Sequence, residues 1–466
     1  MLFSSIPFLY YFLAAVIILY FAVPFKIKNL VLLFSSLFFY AWGEVRYVIL
    51  IIVVILFGYM FGLLVARSDT PKKRKVFVTL SVITCVGILG YFKYADFFVE
   101  NFNAATGLEV PLLKVALPIG ISFYTFQVMS YVIDVYRGQA KVQYNPFTLA
   151  TYVSMFPQLI AGPIVRYADV AEQLEHREHS VDKAALGIRR FVIGLSKKIL
   201  IANALGELCE VFKASGDKSV AFYWLYAVAF TLHIYYDFSG YSDMAIGLGK
   251  IFGLDLLENF NYPYISKSIT EFWRRWHMSL GTWFRDYVYI PLGGNRVSKP
   301  RWLFNILTVW FLTGFWHGAS WNFIVWGLYF AVILMFEKLV LLPILEKSGP
   351  LKHVYVLFLV IISFVIFNAA DMTEAFAYIG GMFGAGGVPL LSAEAIYYFS
   401  SNLVVLIIAV LGATPLCKNA VNRLCKSNRG NALVAILEPV LLVILLLLCT
   451  AYLVDGSFNP FLYFRF

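Results

Sequence analysis

The stretch YVILIIVVILFGYMFGLLV (Tyr47–Val65) contains 19 residues and not one charged side chain. A helix rises about 1.5 Å per residue, so about 20 apolar residues cross a hydrocarbon core about 30 Å thick. Comparable apolar runs recur at Phe77–Gly90, Phe323–Phe336 and Ala432–Leu453. Because a spanning segment must satisfy its own backbone hydrogen bonds, the sequence predicts an all-α integral membrane protein that crosses the bilayer several times.

The composition points to the same class of protein. Hydrophobic residues make up 61% of the 466 residues and charged residues 14%, against about a quarter charged in an ordinary soluble domain. The five cysteines have neither metal-ligand nor CxxC spacing, so we expect neither a metal site nor disulfides. The N-terminal segment lacks a basic start and a small-residue cleavage site, which predicts a retained first span rather than a signal peptide.

Basic residues collect in short loops, and loops rich in lysine and arginine face the cytoplasm. The clearest are Arg67–Lys75 and Lys418–Arg429. Placing both inside makes the N-terminus extracytoplasmic and puts the tail, residues 455–466, on the same side. Neither a repeat nor a linker interrupts the chain, so we expect one membrane-embedded domain over residues 1–466.

Two charged segments are not expected to cross the bilayer. They are Arg166–Arg190 and Ile265–Arg301, and the second mixes Trp, Phe and Tyr with Arg and Lys. Such mixtures are typical of helices that lie along the membrane surface, here the cytoplasmic one. For Arg166–Arg190 an ordinary loop fits equally well.

One histidine stands inside the apolar part of the chain, in FWHGAS (Phe315–Ser320). The apolar segment before it, Trp302–Phe315, reaches only about 20 Å as a helix. We therefore expect the helix to end within the membrane, with Gly314, His317 and Gly318 forming a turn. An ionisable residue at that depth is a functional candidate. The alternative is a buried histidine that hydrogen-bonds a backbone carbonyl.

Two further histidines lie near charged residues. His277, in FWRRWHMSL, follows two arginines and fits either a site residue or a residue at the membrane surface. His233 lies four positions before Asp237, so the two share a helix face, and the polar seam extends to Tyr241 and Asp243. Such seams more often join helices than perform chemistry. The aspartates also keep open a different class of protein, a transporter or flippase.

Long motifs carry a family resemblance. FWRRWHMSLGTWFRDYVYIPLGGNR is followed, 40 residues from histidine to histidine, by FWHGASWNFIVWGLYF. With LPIGISFYTFQVMSYVIDVYRG and YYDFSGYSDMAIGLG, these motifs resemble the membrane-bound O-acyltransferase (MBOAT) family, in the bacterial branch that includes alginate O-acetyltransferases. The resemblance implies a helical ring around a thin central layer, with interfacial cytoplasmic helices, a cytoplasmic donor funnel and an outward acceptor tunnel.

The resemblance also implies the chemistry. The histidine that matches His317 is catalytic in the family, and the one that matches His277 supports it. Acyl groups, here expected to be acetyl, pass from a cytoplasmic thioester (acetyl-CoA or an acyl carrier protein) to an extracytoplasmic polysaccharide such as alginate. D-alanylation of teichoic acid and O-acetylation of peptidoglycan are the alternatives. No bound cofactor is expected, and the expected location is the bacterial inner membrane.

Partners are expected on both faces of the membrane. An acidic donor is expected to dock by charge on four cytoplasmic arginines, Arg274, Arg275, Arg285 and Arg296. The C-terminal NPFLYFRF resembles the tail of a small membrane partner in teichoic-acid D-alanylation, which implies that Tyr463 relays the acyl group. The alternative for this tail is an aromatic membrane anchor. Besides membrane lipids we expect an extracytoplasmic acetyltransferase- or esterase-like partner protein, and no nucleic acid.

Overall fold

A computed structural model describes residues 2–160, 162–456, 458–460 and 462. Within these ranges the regular structure is helical and no β-strand occurs, which confirms the all-α prediction. The α-helices are α1 (Leu13–Ala22), α2 (Phe25–Glu44), α3 (Val48–Arg67), α4 (Pro71–Leu89), α5 (Ala95–Thr106), α6 (Ile121–Arg137), α7 (Pro146–Ser154), α8 (Phe156–Leu159), α9 (Tyr167–Glu175), α10 (Val181–Ser196), α11 (Asn203–Ala214), α12 (Val220–Ile251), α13 (Ile269–Arg275), α14 (Met278–Phe284), α15 (Lys299–His317), α16 (Trp321–Phe336), α17 (Leu342–Lys347), α18 (Leu351–Asn368), α19 (Met372–Met382), α20 (Ala393–Ser401), α21 (Leu403–Gly412), α22 (Leu416–Leu424) and α23 (Asn428–Asp455). Short π-helical segments are Pro7–Phe12, Gly90–Tyr94, Lys197–Ala202, Arg285–Tyr289 and Glu337–Leu341, and 3-10 turns are Val45–Tyr47, Pro263–Ile265 and Ala385–Gly387.

Five helical stretches of the described chain are long and apolar enough to cross a bilayer. They are Phe25–Arg67, Pro71–Thr106, Trp321–Lys347, Leu351–Asn368 and Asn428–Asp455. The pair α20 and α21, bent by 58° at its junction, makes a sixth if it counts as one span. These stretches confirm a polytopic membrane protein. The two charged segments predicted to stay out of the bilayer contain no such stretch among the described residues.

Residues Met1–Phe191 and Tyr241–Leu257 form one compact unit. In it α6 packs against α3 and α4, and α2 packs against α7. The Tyr20 hydroxyl donates to the Phe252 carbonyl oxygen at 2.8 Å and lies 2.9 Å from His179 Nε2. These hydrogen bonds tie α1 to the end of α12 and to the loop before α10.

Residues Val192–Gly240 and Glu258–Phe466 form a second compact unit. In it α15 packs along α16, and α16 packs along α18. Aromatic side chains, among them Trp326, Phe330 and Phe364, fill the core of this unit. The single domain over residues 1–466 stays a prediction.

A buried carboxylate fixes the start of α13 in the second unit. Glu337, which is 0% exposed, accepts hydrogen bonds from the backbone N–H groups of Ile269 at 2.7 Å and Thr270 at 2.9 Å. It also accepts one from the Thr270 hydroxyl at 2.6 Å. A negative charge at a helix N-terminus is favourable, so Glu337 holds the helix that precedes His277 against the end of α16.

Candidate active site

His317 is the last residue of α15. Gly318 follows it in an extended conformation (φ −164°, ψ 155°), so the chain does leave the helix next to His317. Two details of the prediction are wrong. The helix begins at Lys299 and has 19 residues, which makes it about 28 Å long, and Gly314 lies inside it rather than in a turn. The reason is Pro300, which is compatible with the first helical turn because its missing N–H needs no partner there.

The end of α15 is held against α16 by a contact between backbones. A Cβ placed on Gly314 would come closer to the Phe323 carbonyl oxygen than the 3.0 Å that real Cβ atoms keep, and one on Gly327 would do the same to the Trp310 carbonyl oxygen. Side chains at these two positions would push the helices apart. The two glycines therefore decide where the end of α15 meets α16.

His317 lies among aromatic rings. Its ring centroid lies 5.1 Å from that of Trp316, 5.1 Å from that of Trp326 and 5.3 Å from that of Phe367, and all three pairs are edge-to-face. Only 7% of His317 is exposed. The neighbouring rings come from α15, α16 and α18, so the packing of three helices fixes the position of the imidazole.

A small, narrow cavity lies beside His317. We call it the histidine cavity. Most of its wall is apolar or aromatic, being formed by Ile234, Phe238, Trp276, Trp326, Phe364, Phe367 and Leu462. Among the described wall residues, Asp237 is the other ionisable group. The apolar wall of this cavity is chemically compatible with an acyl group, while an imidazole and a carboxylate can bind and orient a hydroxyl group.

Asp237 is charge-paired with a lysine that we did not single out in the sequence. Lys198, in the π-helical segment Lys197–Ala202, lies 2.6 Å from the Asp237 carboxylate, and the two side chains are 2% and 1% exposed. Leaving either charge alone at such a buried position would be strongly unfavourable. The C-terminal tail also contacts this pair: Lys198 Nζ donates to the Pro460 carbonyl oxygen, and the Leu462 N–H donates to Asp237 Oδ2 at 3.0 Å.

His277 lies at the break between α13 and α14, and it is 2% exposed, so it does not lie on the surface. Its backbone is left-handed (φ 45°, ψ 52°), a conformation that is uncommon outside glycine and is found at functional sites. The His277 ring packs edge-to-face on Phe238, at 4.7 Å, and on Trp316, at 6.2 Å. Phe238 also lines the histidine cavity, so His277 packs against a residue of the cavity wall without being part of that wall.

An amide fixes the orientation of the His277 ring. His277 Nδ1 lies 3.2 Å from Asn259 Oδ1, and because an amide oxygen only accepts, Nδ1 carries the proton. Asn259 Oδ1 also accepts from the Ser279 hydroxyl at 2.9 Å. Burial lowers the pKa of His277 to about 3, so this imidazole is neutral at physiological pH.

The four arginines predicted to bind the donor differ in their surroundings. Arg275 forms an ion pair with Glu271 at 2.8 Å, which ties it to its own helix. The side chains of Arg274, Arg285 and Arg296 are exposed. Arg285 also forms an ion pair, with Asp286 at 2.7 Å, so greater exposure rather than the lack of a carboxylate partner distinguishes it from Arg275. Donor binding by any of the four stays a prediction.

Arg285 also belongs to a second, larger cavity of about 160 Å³, which we call the cationic cavity. Lys338 supplies its other positive charge, and the sequence analysis missed this residue. The rest of the wall is largely apolar and consists of Gly281, Tyr289, Ile306, Val309, Trp310 and Leu334. Two positive charges beside an apolar wall suit a ligand that joins anionic groups to an uncharged chain.

Aromatic rings connect the walls of the two cavities. Trp310, in the cationic cavity, lies 4.7 Å from Trp273, and Trp273 lies 5.6 Å from Trp326. Trp326 lines the histidine cavity and contacts His317. The Nε1 atoms of Trp273 and Trp326 are buried and have no hydrogen-bond partner among the described residues. A row of three indole rings thus runs from the wall of one cavity to the wall of the other.

The polar seam predicted on α12 divides into local contacts. His233 Nδ1 lies 2.6 Å from the Ala202 carbonyl oxygen, Asp243 pairs with Arg190 at 2.7 Å, and Tyr241 stacks on a phenylalanine. The first two contacts join α12 to neighbouring helical segments, as the sequence favours, and the third joins it to the chain before α1. Asp237 is the seam residue that reaches the histidine cavity.

Sequence reasoning missed several residues of the site. Lys198 has a visible signal, because KKILIA places lysines directly before an apolar stretch, and Asp237 is a matching charge on another apolar helix. Trp326 and Leu462 carry no such signal, because aromatic and aliphatic residues occur along the whole chain and nothing in the sequence distinguishes these two. Tyr463, predicted to be an acyl relay, lies outside the described residues.

Comparisons with known proteins agree with the resemblance found in the motifs. Residues 8–369 match MBOAT, the membrane-bound O-acyltransferase family. A probable alginate O-acetylase from Azotobacter vinelandii is 39% identical over the full length of both chains. A peptidoglycan O-acetyltransferase from Helicobacter pylori is 34% identical over 85% of this chain and 82% of its own. A teichoic acid D-alanyltransferase from Bacillus subtilis is 33% identical over 47% of this chain and 60% of its own.

Proposed function

Because the chain belongs to the membrane-bound O-acyltransferase family, we propose that it transfers acetyl groups from a thioester donor to hydroxyl groups of an extracytoplasmic polysaccharide, alginate or a similar exopolysaccharide. The observation that carries this proposal is the position of His317, at the end of α15 beside an apolar cavity. Full-length similarity to a probable alginate O-acetylase favours that acceptor. Peptidoglycan and teichoic acid, named in other relatives, are the alternative acceptors.

His317 acts as the general base in this proposal. The acceptor oxygen attacks the thioester carbonyl carbon while the imidazole takes the hydroxyl proton. The tetrahedral intermediate then collapses, the C–S bond breaks, and the proton passes from His317 to the departing thiolate. Proton transfer by a positioned imidazole typically accelerates such a step about 10²- to 10⁴-fold. His277, neutral and oriented by Asn259, supports the cavity wall from behind through Phe238 and Trp316.

The cationic cavity is the proposed entry site of the donor, which is a substrate and not a bound cofactor. Arg285 and Lys338 would hold the anionic part of acetyl-CoA, or an acidic face of an acyl carrier protein, and Arg274 and Arg296 would extend the positive surface. The wall around Trp310 would hold the uncharged arm of the donor. A thioester at this site needs the aromatic wall to open before its acetyl group reaches His317.

The acceptor side of the proposal involves the C-terminal tail. Tyr463 would accept the acetyl group on its phenolic oxygen and pass it on, because a phenol (pKa about 10) is a better leaving group than a sugar alkoxide. An extracytoplasmic acetyltransferase- or esterase-like protein would deliver the group to the polysaccharide. This arrangement requires the inner membrane of a bacterium and an extracytoplasmic C-terminus, and the distribution of basic loops also favours an extracytoplasmic N-terminus.

Replacing His317 tests the proposal. We expect His317→Ala to abolish acetylation of the exported polymer while the variant accumulates in the membrane at the parental level. His176→Ala serves as the matched control, because His176 is an exposed histidine. The measurement is the acetyl content of polymer purified from cells that produce each variant. Parental acetyl content with His317→Ala would refute the role of the imidazole.

A further inference from the structure

The described part of the C-terminal tail lies against the protein. Leu462 is 6% exposed and forms part of the wall of the histidine cavity. Phe458 faces Gly206, where an added Cβ would lie 2.9 Å from the phenylalanine ring. Asn459 Oδ1 accepts a hydrogen bond from Asn203 Nδ2 at 3.3 Å. The tail thus follows α11 toward the cavity.

Two ionised side chains hold the main chain of this tail. The Lys198 ammonium donates to the Pro460 carbonyl oxygen, and the Asp237 carboxylate accepts from the Leu462 N–H at 3.0 Å. Hydrogen bonds with one ionised partner are shorter and about twice as strong as those between neutral groups. One side chain of the pair therefore recognises a carbonyl and the other an N–H, two residues apart.

Both side chains of the Lys198–Asp237 pair can form hydrogen bonds beyond the ion pair itself. Asp237 uses Oδ1 for Lys198 and Oδ2 for the tail, while an ammonium has three donors. A buried ion pair alone stabilises a protein no better than apolar residues of the same size. The tail contacts give both buried charges a second partner, which accounts for their presence in an apolar part of the chain.

We propose that the Lys198–Asp237 pair is the docking site of the C-terminal tail and positions it in the wall of the histidine cavity. Both side chains are positioning residues. They act through Pro460 and Leu462, and the consequence for acetyl transfer rests on the proposed function. Any chemistry of the tail at the cavity requires this docking, including the relay proposed for Tyr463, which directly follows Leu462 in the sequence.

Thiol labelling measures docking without any substrate. Leu462→Cys places a small apolar thiol at the docked position, in a background with Cys417→Ser and Cys425→Ser, since the other three cysteines are buried. We expect slow maleimide labelling of this thiol in native membranes. In the variant Lys198→Met with Asp237→Leu, which keeps apolar packing but offers no donor or acceptor, labelling should be about tenfold faster or more, because two charge-assisted hydrogen bonds are lost.

A charge exchange separates docking from a simple link between helices. Lys198→Asp with Asp237→Lys keeps an ion pair, but it presents a carboxylate to the Pro460 carbonyl and an ammonium to the Leu462 N–H. Docking predicts fast labelling and loss of polymer acetylation in this variant. Asp243→Asn is the matched control, because it breaks the Arg190 ion pair on α12, and it should label as slowly as the parent.

The outcomes distinguish docking of the tail by the pair from a simple link between helices. Fast labelling in the apolar and exchanged variants, with slow labelling in Asp243→Asn, supports docking. Slow labelling in the apolar variant overturns it. Slow labelling together with normal polymer acetylation in the exchanged variant also overturns it. Because labelling is measured without donor or acceptor, a docked parent protein that acetylates no polymer would overturn the proposed function and leave the docking site standing.

Discussion

Adding one methyl group at the contact between α15 and α16 should remove most of the acetylation activity, while the protein should still fold. In Gly314→Ala the new Cβ would overlap the Phe323 carbonyl oxygen and lie 3.3 Å from Gly327 Cα. Both are backbone atoms, so no side-chain rotation relieves the overlap. The two helices must separate instead, and His317 lies three residues beyond Gly314 on the helix that moves.

The size of the effect follows from that displacement. Restoring an ordinary contact needs a shift of about 1 Å, and a misplacement of about 1 Å can reduce the rate about 10²-fold. His317 would move relative to Trp326, which lies on α16 at a ring distance of 5.1 Å. Overpacking of a core costs about 1–3 kcal/mol of stability, partly offset by the gain of about 1 kcal/mol when alanine replaces glycine in a helix. The variant should therefore fold.

The assay is the rate of polymer acetylation in cells, normalised to the amount of variant in the membrane. Gly87→Ala is the control, because Gly87 lies in α4 with nothing within 4 Å of the added Cβ, and it should acetylate at the parental rate. Gly327→Ala, on the other side of the same contact, should match Gly314→Ala. Full activity in both Gly314→Ala and Gly327→Ala would refute the argument that this contact positions His317.

Three further predictions concern the donor site, the start of α13 and the tail. Arg285→Glu with Lys338→Glu should raise the KM for a soluble thioester donor about tenfold and weaken its salt dependence, because steering by opposite charge is lost; unchanged kinetics in reconstituted vesicles would contradict the donor site. Glu337→Leu should lower the thermal midpoint, since each buried N–H left without its acceptor costs about 1–3 kcal/mol, and an unchanged midpoint would argue against that cap. Tyr463→Phe keeps the ring and removes the hydroxyl, so a relay predicts lost acetylation at parental membrane levels, and a base-labile acyl adduct on the parental C-terminal peptide by mass spectrometry. A fully active Tyr463→Phe variant would leave the tail as an anchor.

The spans were predictable because length and apolar composition alone decide them. All of Tyr47–Val65 except Tyr47 lies in α3, and Ala432–Leu453 lies within α23. His317 could be singled out as a candidate from the sequence because an imidazole is rare in an apolar run, and the structure places it beside a cavity. The start of α15 was not predictable, since the apolar segment begins at Trp302 while the helix begins at Lys299, and proline at position 300 fits the first turn of a helix. Local sequence leaves that choice open.

The pairing of Lys198 with Asp237 could not be predicted for a different reason. The two positions are 39 residues apart, and nothing local selects one partner among the charges of neighbouring helices. Gly314 and Gly327 present the same difficulty, because many of the 32 glycines lie in helices and only packing shows which of them let two backbones touch. Tertiary contacts of this kind leave no periodic pattern in the sequence.

Asp237 lies within the regular helix α12, but several other groups at or near the histidine cavity come from places where regular helices stop or change. His317 ends α15, Lys198 lies in a π-helical segment, and Pro460 and Leu462 follow α23. A regular helix uses up its own N–H and C=O groups, so only chain outside it can offer a free carbonyl or N–H to a side chain. π-helical turns are frequent at functional sites because the extra residue redirects the side chains around it. Backbone groups that bind a buried ion pair inside a helical membrane protein must therefore come from chain outside the regular helices, as the Pro460 carbonyl and the Leu462 N–H do for Lys198 and Asp237.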